Sequence, residues 1–225
     1  MRPVLKKIAL SILACIERLF DFKTSPLPGV EQRLKEIFGR YEIGTTRFIK
    51  KNLRGGVAFD VGANIGYYSR LMSRSAKHVY AFEPDADNFR ILEQNCRHHP
   101  NITPLNMAVC DRGGTADFFK VMHSAMRHSL IDEGNTKKLT VACTSLDAFI
   151  KERGITGVSL VKIDVEGAEP LVFAGMRELL EREHPIVIYE GDDPNAKAIS
   201  ENGDIIQAAD AAWWGSRHKV TNLVL

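Results

Sequence analysis

Apolar positions gather in short runs that alternate with longer stretches of amphipathic spacing. Val57 to Val61 is apolar except at Asp60 and reads as a buried parallel strand, since strands covered on both faces need not alternate. Tyr67 to Arg74 follows with helical spacing, and His78 to Phe82 is a second buried run that ends at Glu83. Pro84 opens a helix from about Asp85 to His98, with Phe89, Ile91 and Leu92 as its buried stripe. Asn101 to Val109 reads as a third strand, followed by the turn Asp111-Arg-Gly-Gly114. Thr115 to Val121 and Lys138 to Cys143 read as an antiparallel hairpin inserted beside the sheet, with a polar loop between them. Ser145 caps a helix through Lys151, and Ser159 to Ile163 is a fourth parallel strand. Pro170 opens a helix carrying Leu171, Val172, Met176, Leu179 and Leu180. Ile186 to Glu190 is the fifth strand, and Ile205-Ile206 and Asn222 to Leu225 read as short closing strands. Strands alternating with helices predict a three-layer α/β sheet.

The N-terminal part has a different pattern. On a helical wheel Leu5, Ile8, Ile12, Ile16 and Leu19 share one face, opposite Lys7, Ser11, Ala14 and Arg18. This predicts an amphipathic helix over residues 1 to about 22, ended by the linker Thr24 to Gly29. Glu31 to Phe38 reads as a further short helix, and Tyr41 to Leu53 leads into the first strand. The apolar stretch Ile8 to Ile16 is too short to span a bilayer, and no small-x-small cleavage site is clear. The helix is therefore expected to remain attached and to dock on the body or a partner, ahead of a weak membrane-surface contact. Two units result, a helical segment and linker over 1–52 and an α/β domain over 53–225.

Composition removes several function classes. The 225 residues hold 30 basic and 28 acidic side chains, so no strong field favours nucleic acid or an anionic membrane, and no nucleic-acid partner is predicted. Cys15, Cys96, Cys110 and Cys143 are scattered without a C-x-x-C pair, which argues against zinc and for reduced thiols in a cytoplasmic protein.

The first strand and the turn after it carry the chemistry. Gly62 lets the chain turn at the strand end, and Gly66 clears space for helix packing. Glu83, 21 residues after Gly62, ends the second strand where a ribose diol would lie. The pattern is D-x-G-x-x-x-G, with Ala63 and Asn64 where a dinucleotide fold opens its backbone to a pyrophosphate. Asp60 would repel phosphates and suits an ammonium or sulfonium instead. S-adenosylmethionine offers both, with a diol for Glu83. Asp60, Glu83, Asp164 and Glu190 all finish strands, and such converging acids require a cation or donors among them. A divalent metal held with Asp192 and Asp193 is the disfavoured explanation, because no histidine joins at ligand spacing. Asp164 or Glu166 faces the reacting group while the other binds turn amides, and Glu169 reads as a first-turn helix acid. His123 and His128, in the hairpin loop, are the alternative proton acceptors. Trp213-Trp214 are either core or an acceptor-pocket wall.

Phe59-Asp-Val-Gly-Ala-Asn-Ile-Gly66, Phe82-Glu-Pro84, Ala108-Val109 with Gly113-Gly114, Thr144-Ser-Leu-Asp147, Val161-Lys-Ile-Asp-Val-Glu-Gly-Ala-Glu169 and Pro185-Ile-Val-Ile-Tyr-Glu190 together resemble FkbM-type methyltransferases, from about Ala58 onward. The resemblance implies a class I methyltransferase (Rossmann-like) sheet of order 3-2-1-4-5-7-6 with the last strand antiparallel. It also implies S-adenosylmethionine-dependent O-methylation of sugar or natural-product hydroxyls. On that resemblance Asp60, Gly62, Ala63, Asn64 and Gly66 lie under the methionine part, and Glu83 with Pro84 holds the ribose. Asn106, Met107 and Ala108 flank the adenine, and Asp164 and Glu166 lie near the methyl. A nicotinamide-dependent oxidoreductase and a non-catalytic S-adenosylmethionine-binding module are the rival readings.

Overall fold

The computed structural model describes residues 3–24, 33–34, 37–38, 42–121, 128–130, 136–190 and 218–222. The helices are α1 (Pro3–Leu19), α2 (Ile43–Asn52), α3 (Tyr67–Met72), α4 (Ala86–Cys96), α5 (Leu146–Arg153), α6 (Glu169–Ala174) and α7 (Arg177–Glu183). The strands are β1 (Val57–Val61), β2 (His78–Phe82), β3 (Ile102–Leu105), β4 (Ala108–Val109), β5 (Gly114–Val121), β6 (His128–Ser129), β7 (Thr136–Thr144), β8 (Val158–Ile163), β9 (Ile186–Glu190) and β10 (His218–Asn222).

The main sheet runs β10-β9-β8-β1-β2-β3, parallel except for β10, which pairs antiparallel with β9. This is the predicted class I order through its first six positions. The outermost position lies beyond the described residues, as do Ile205, Ile206, Trp213, Trp214 and Leu225. All five β1 residues are buried, as an apolar central strand requires. Phe59, Val61, Val161 and Val187 pack on one side with Phe149, Val172, Met176 and Leu179, from α5 to α7. Ala58, Val79, Ala81 and Leu160 pack on the other with Ile49, Tyr68, Met72 and Leu92, from α2 to α4. Three layers result.

Four expectations are corrected. The third strand divides, because the Met107 amide turns back to the Leu105 carbonyl (3.0 Å) and Ala108 then pairs with Cys143 rather than beside β2. The hairpin grows into a second sheet of order β4-β7-β5-β6, so His128 belongs to a strand and not to a loop. The helix after Pro170 breaks at Gly175, where a Cβ would lie 2.1 Å from the Cys110 carbonyl oxygen. Its second half restarts as α7 on Asp147, whose carboxylate accepts the Glu178 and Leu179 amides (3.0 and 2.9 Å). Asp147→Ala is expected to lower stability by about 1 kcal/mol, the usual worth of an N-terminal helix cap. An unchanged urea midpoint would show that α7 needs no such cap.

The fourth correction concerns α1. Leu13 is buried while Ile12 and Leu19 of the expected apolar stripe are exposed (55% and 80%). The exit of the helix sets this rotation. Glu17 turns inward to accept the Thr24 hydroxyl and the Arg33 guanidinium, and Phe22 is buried under Arg70. The Lys23 amide donates to Asn95 of α4 (2.6 Å), so the segment is tied to the body. Among the described residues no helix is long and apolar enough to cross a membrane.

Candidate active site

At the end of β1 the chain reverses into α3 through a loop that few residues permit. Gly62 has φ 78°, and its amide and that of Ala63 both donate to the Phe82 carbonyl at the end of β2 (3.0 and 2.9 Å). A Cβ on residue 62 would sit 1.9 Å from the Asp164 carbonyl oxygen, so only glycine fits between β1 and β8. Gly66, at φ 86°, opens α3 where a Cβ would come within 2.7 Å of Leu92 on α4. Between them Asn64 takes a left-handed conformation (φ 50°) and donates its amide to Glu83 Oε2 at 2.8 Å.

Glu83 follows β2 and is 5% exposed. Its other oxygen accepts the Asp85 amide at 2.8 Å. Burial pushes its pKa up to about 8, against the two amide hydrogen bonds. Asn106, just beyond β3, donates to the carbonyls of Glu83 and Pro84 (2.8 and 3.1 Å) and so fixes this turn. Met107 and buried Ala108 continue the same edge. Asn64 Oδ1 is buried without a hydrogen-bond partner among the described residues. This edge therefore holds a buried carboxylate and an unpartnered amide oxygen, both of which accept donors.

The strand-end acids divide by depth. Asp60, expected against the ligand, is fully buried beneath the loop, where its carboxylate accepts the Ser69 hydroxyl (2.6 Å). Burial raises its pKa, opposed by Lys162 and Ser69. Asp164 keeps 27% of its side chain exposed, and its amide donates to the Val61 carbonyl beside the end of β1 (2.9 Å). Glu166, at φ 52°, sits half-buried in the following turn. Glu169 also binds this turn, where it accepts the Val165 and Gly167 amides (3.3 and 3.2 Å). The side chain of Glu190 lies outside the described residues, as do Asp192, Asp193 and His123.

The second sheet is tied to the same edge. Lys120 on β5 bridges Asp85 and Asp87 at the start of α4 (2.6 and 2.9 Å), and His128 pairs with Lys120 across the strands. The backbone of His128 is thus placed near the β2–α4 turn, away from the Gly62–Asp164 contact.

Over residues 60–211 the sequence matches the Methyltransferase FkbM domain. The chain belongs to the FkbM methyltransferase family. It is 29% identical over 175 residues to the hexuronic acid methyltransferase AglP of Haloferax volcanii, covering 75% of this chain and 71% of that protein. It is 29% identical over 157 residues to the 31-O-demethyl-FK506 methyltransferase FkbM of Streptomyces tacrolimicus, covering 55% and 60% of the two chains. Similarity to the 2-O-methyltransferase NoeI of Sinorhizobium fredii is 25% over 163 residues, covering 61% and 67%. The protein is a methyltransferase.

Two residues of this FkbM-family site were not singled out by their pattern. Lys162 lies on β8, with its ammonium 2.9 Å from Asp164 Oδ2, 3.9 Å from Asp60 Oδ1 and 4.8 Å from the centre of the Tyr68 ring. A lysine amid Leu160, Val161 and Ile163, on a strand covered on both faces, was itself the signal, since a buried cation needs partners. Glu42, at the start of α2, accepts the Tyr68 hydroxyl and also acts electrostatically on Lys162. No periodicity marks it.

Proposed function

We propose that this FkbM-family enzyme moves a methyl group from S-adenosylmethionine to an oxygen of a saccharide or other natural-product acceptor. The observation that carries the cofactor is the edge formed by Glu83 and Asn64. A nearly buried carboxylate there lies beside an amide oxygen that lacks a partner among the described residues, and both suit the hydroxyl and ammonium donors of this molecule. Glu83 would accept from the ribose diol, Asn106 to Ala108 would flank the adenine, and the Gly62–Gly66 loop would lie beneath the methionine part. The cofactor supplies a methyl already activated by its sulfonium.

What remains for the chain is to hold the acceptor oxygen in line and take its proton. Asp164 and Glu166, at the end of the strand beside β1, are assigned that task. They sit on the rigid sheet edge and are both partly accessible. The names of the relatives, two of which specify an oxygen and one a hexuronic acid, support the acceptor class. Calorimetry tests the cofactor. Micromolar binding of S-adenosylhomocysteine with no heat from NAD is expected, and the reverse order would remove the reading.

The raised Glu83 pKa adds a pH signature. Below about 8 the carboxyl is mostly protonated, whereas a diol donating to it favours the anion. Binding of 5′-methylthioadenosine, which keeps the diol but lacks the amino acid, should be about tenfold weaker at pH 7 than at pH 9. Glu83→Gln should flatten that profile. For the free protein the sign is opposite. The fold holds a proton that the unfolded chain has released, so this group's contribution to stability falls as pH rises from about 4.5 to about 8.

A further inference from the structure

We propose that Lys162 is a positioning residue that clamps Asp164 at the mouth of the site. Its side chain is only 5% exposed, and its ammonium sits among three groups, 2.9 Å from the Asp164 carboxylate, 3.9 Å from Asp60 and 4.8 Å from the Tyr68 ring centre. Tyr68 is held in turn by its hydroxyl bond to Glu42, so the N-terminal segment braces the same cluster. The arrangement is asymmetric. Asp60 and the Tyr68 ring are buried and anchor the ammonium from below, while Asp164 is the partner that reaches solvent. Burial acts to lower the Lys162 pKa, but Asp164, Asp60 and Glu42 outweigh it and hold the ammonium charged above the ordinary lysine range. Lys162 is thus no proton acceptor. It fixes where the Asp164 carboxylate points.

This inference rests on the reading of Asp164 as proton acceptor, and the test separates the two. Lys162→Gln removes the cation and leaves Asp60 uncompensated, so that variant should melt earlier. The double variant Lys162→Gln/Asp60→Asn removes both buried charges and should regain most of the lost melting temperature. A lysine that only neutralised the core would then be dispensable. A crystal structure of the double variant with S-adenosylhomocysteine should show the Asp164 carboxylate displaced by about 1 Å or more, and its kcat at saturating S-adenosylmethionine should remain about tenfold below that of Asp60→Asn alone. The rate is read on the saccharide that the wild-type protein methylates fastest. An unmoved Asp164 or a restored kcat overturns the proposal. Asp164→Asn, run alongside, distinguishes the failures. If it is slow while the double variant is fast, only the clamp falls. If it is as fast as wild type, the reading of Asp164 falls and the clamp with it.

Discussion

Asp164→Asn is expected to lower kcat about 100-fold, the range over which a positioned proton acceptor acts, while leaving the fold intact. The change keeps the shape of the side chain and removes its charge. A hydroxyl is a weak nucleophile while it holds its proton, so the loss should appear in kcat and spare the affinity for S-adenosylhomocysteine. Glu166→Gln tests the neighbouring carboxylate, two residues on in a left-handed turn. His123→Ala and His128→Ala should cost less. The backbone of His128 is placed beside Lys120, on the Glu83–Asp87 side of the sheet edge rather than beside Asp164. Near-normal turnover in both carboxylate variants, with a dead histidine variant, would move the proton acceptor to the second sheet.

Gly62→Val should have the largest effect on the molecule as a whole. The new Cβ would lie 1.9 Å from the Asp164 carbonyl oxygen, and the backbone there is already at φ 78°. A branched residue adds left-handed strain to a backbone collision between β1 and β8, which together should remove about 4 kcal/mol or more. The cause is the close approach of two strand ends and not competition with a ligand. The variant should therefore fail in denaturant unfolding followed by circular dichroism even without cofactor. Gly113→Val provides the contrast, since a Cβ at that position meets nothing within 4 Å. Equal urea midpoints for the two variants would contradict this account.

Much of the sheet could be read from the chain because its strands are short apolar runs that end in acids or glycines. Val57–Val61, His78–Phe82 and Ile186–Glu190 stand where the pattern placed them, and β8 begins one residue before the expected Ser159. The losses occurred where a single long-range contact overrides local pattern. Pro170 to Leu180 has helical spacing throughout, yet close approach to the Cys110 carbonyl breaks it at Gly175. The stripe on α1 is real as a pattern, but Glu17 and Phe22 set how the helix turns toward the body. The converging carboxylates were legible as a group needing a cation. That the chain supplies one itself, from Lys162, was marked only by the lysine's place in a run otherwise apolar, two residues before Asp164. Glu169 shows the same limit. Its position marked it as a helix acid, while its bonds to the Val165 and Gly167 amides depend on the left-handed Glu166 between them.

The central claim is methyl transfer to oxygen, and the most direct measurement follows the methyl carbon itself. The protein is incubated with S-adenosylmethionine carrying a ¹³C-labelled methyl group and a panel of saccharides that includes hexuronic acids, and the products are examined by NMR. The expected result is S-adenosylhomocysteine release matched by a new ¹³C resonance at an O-methyl shift. Label transferred to nitrogen or carbon, or S-adenosylmethionine bound tightly with no transfer to any member of the panel, would contradict it.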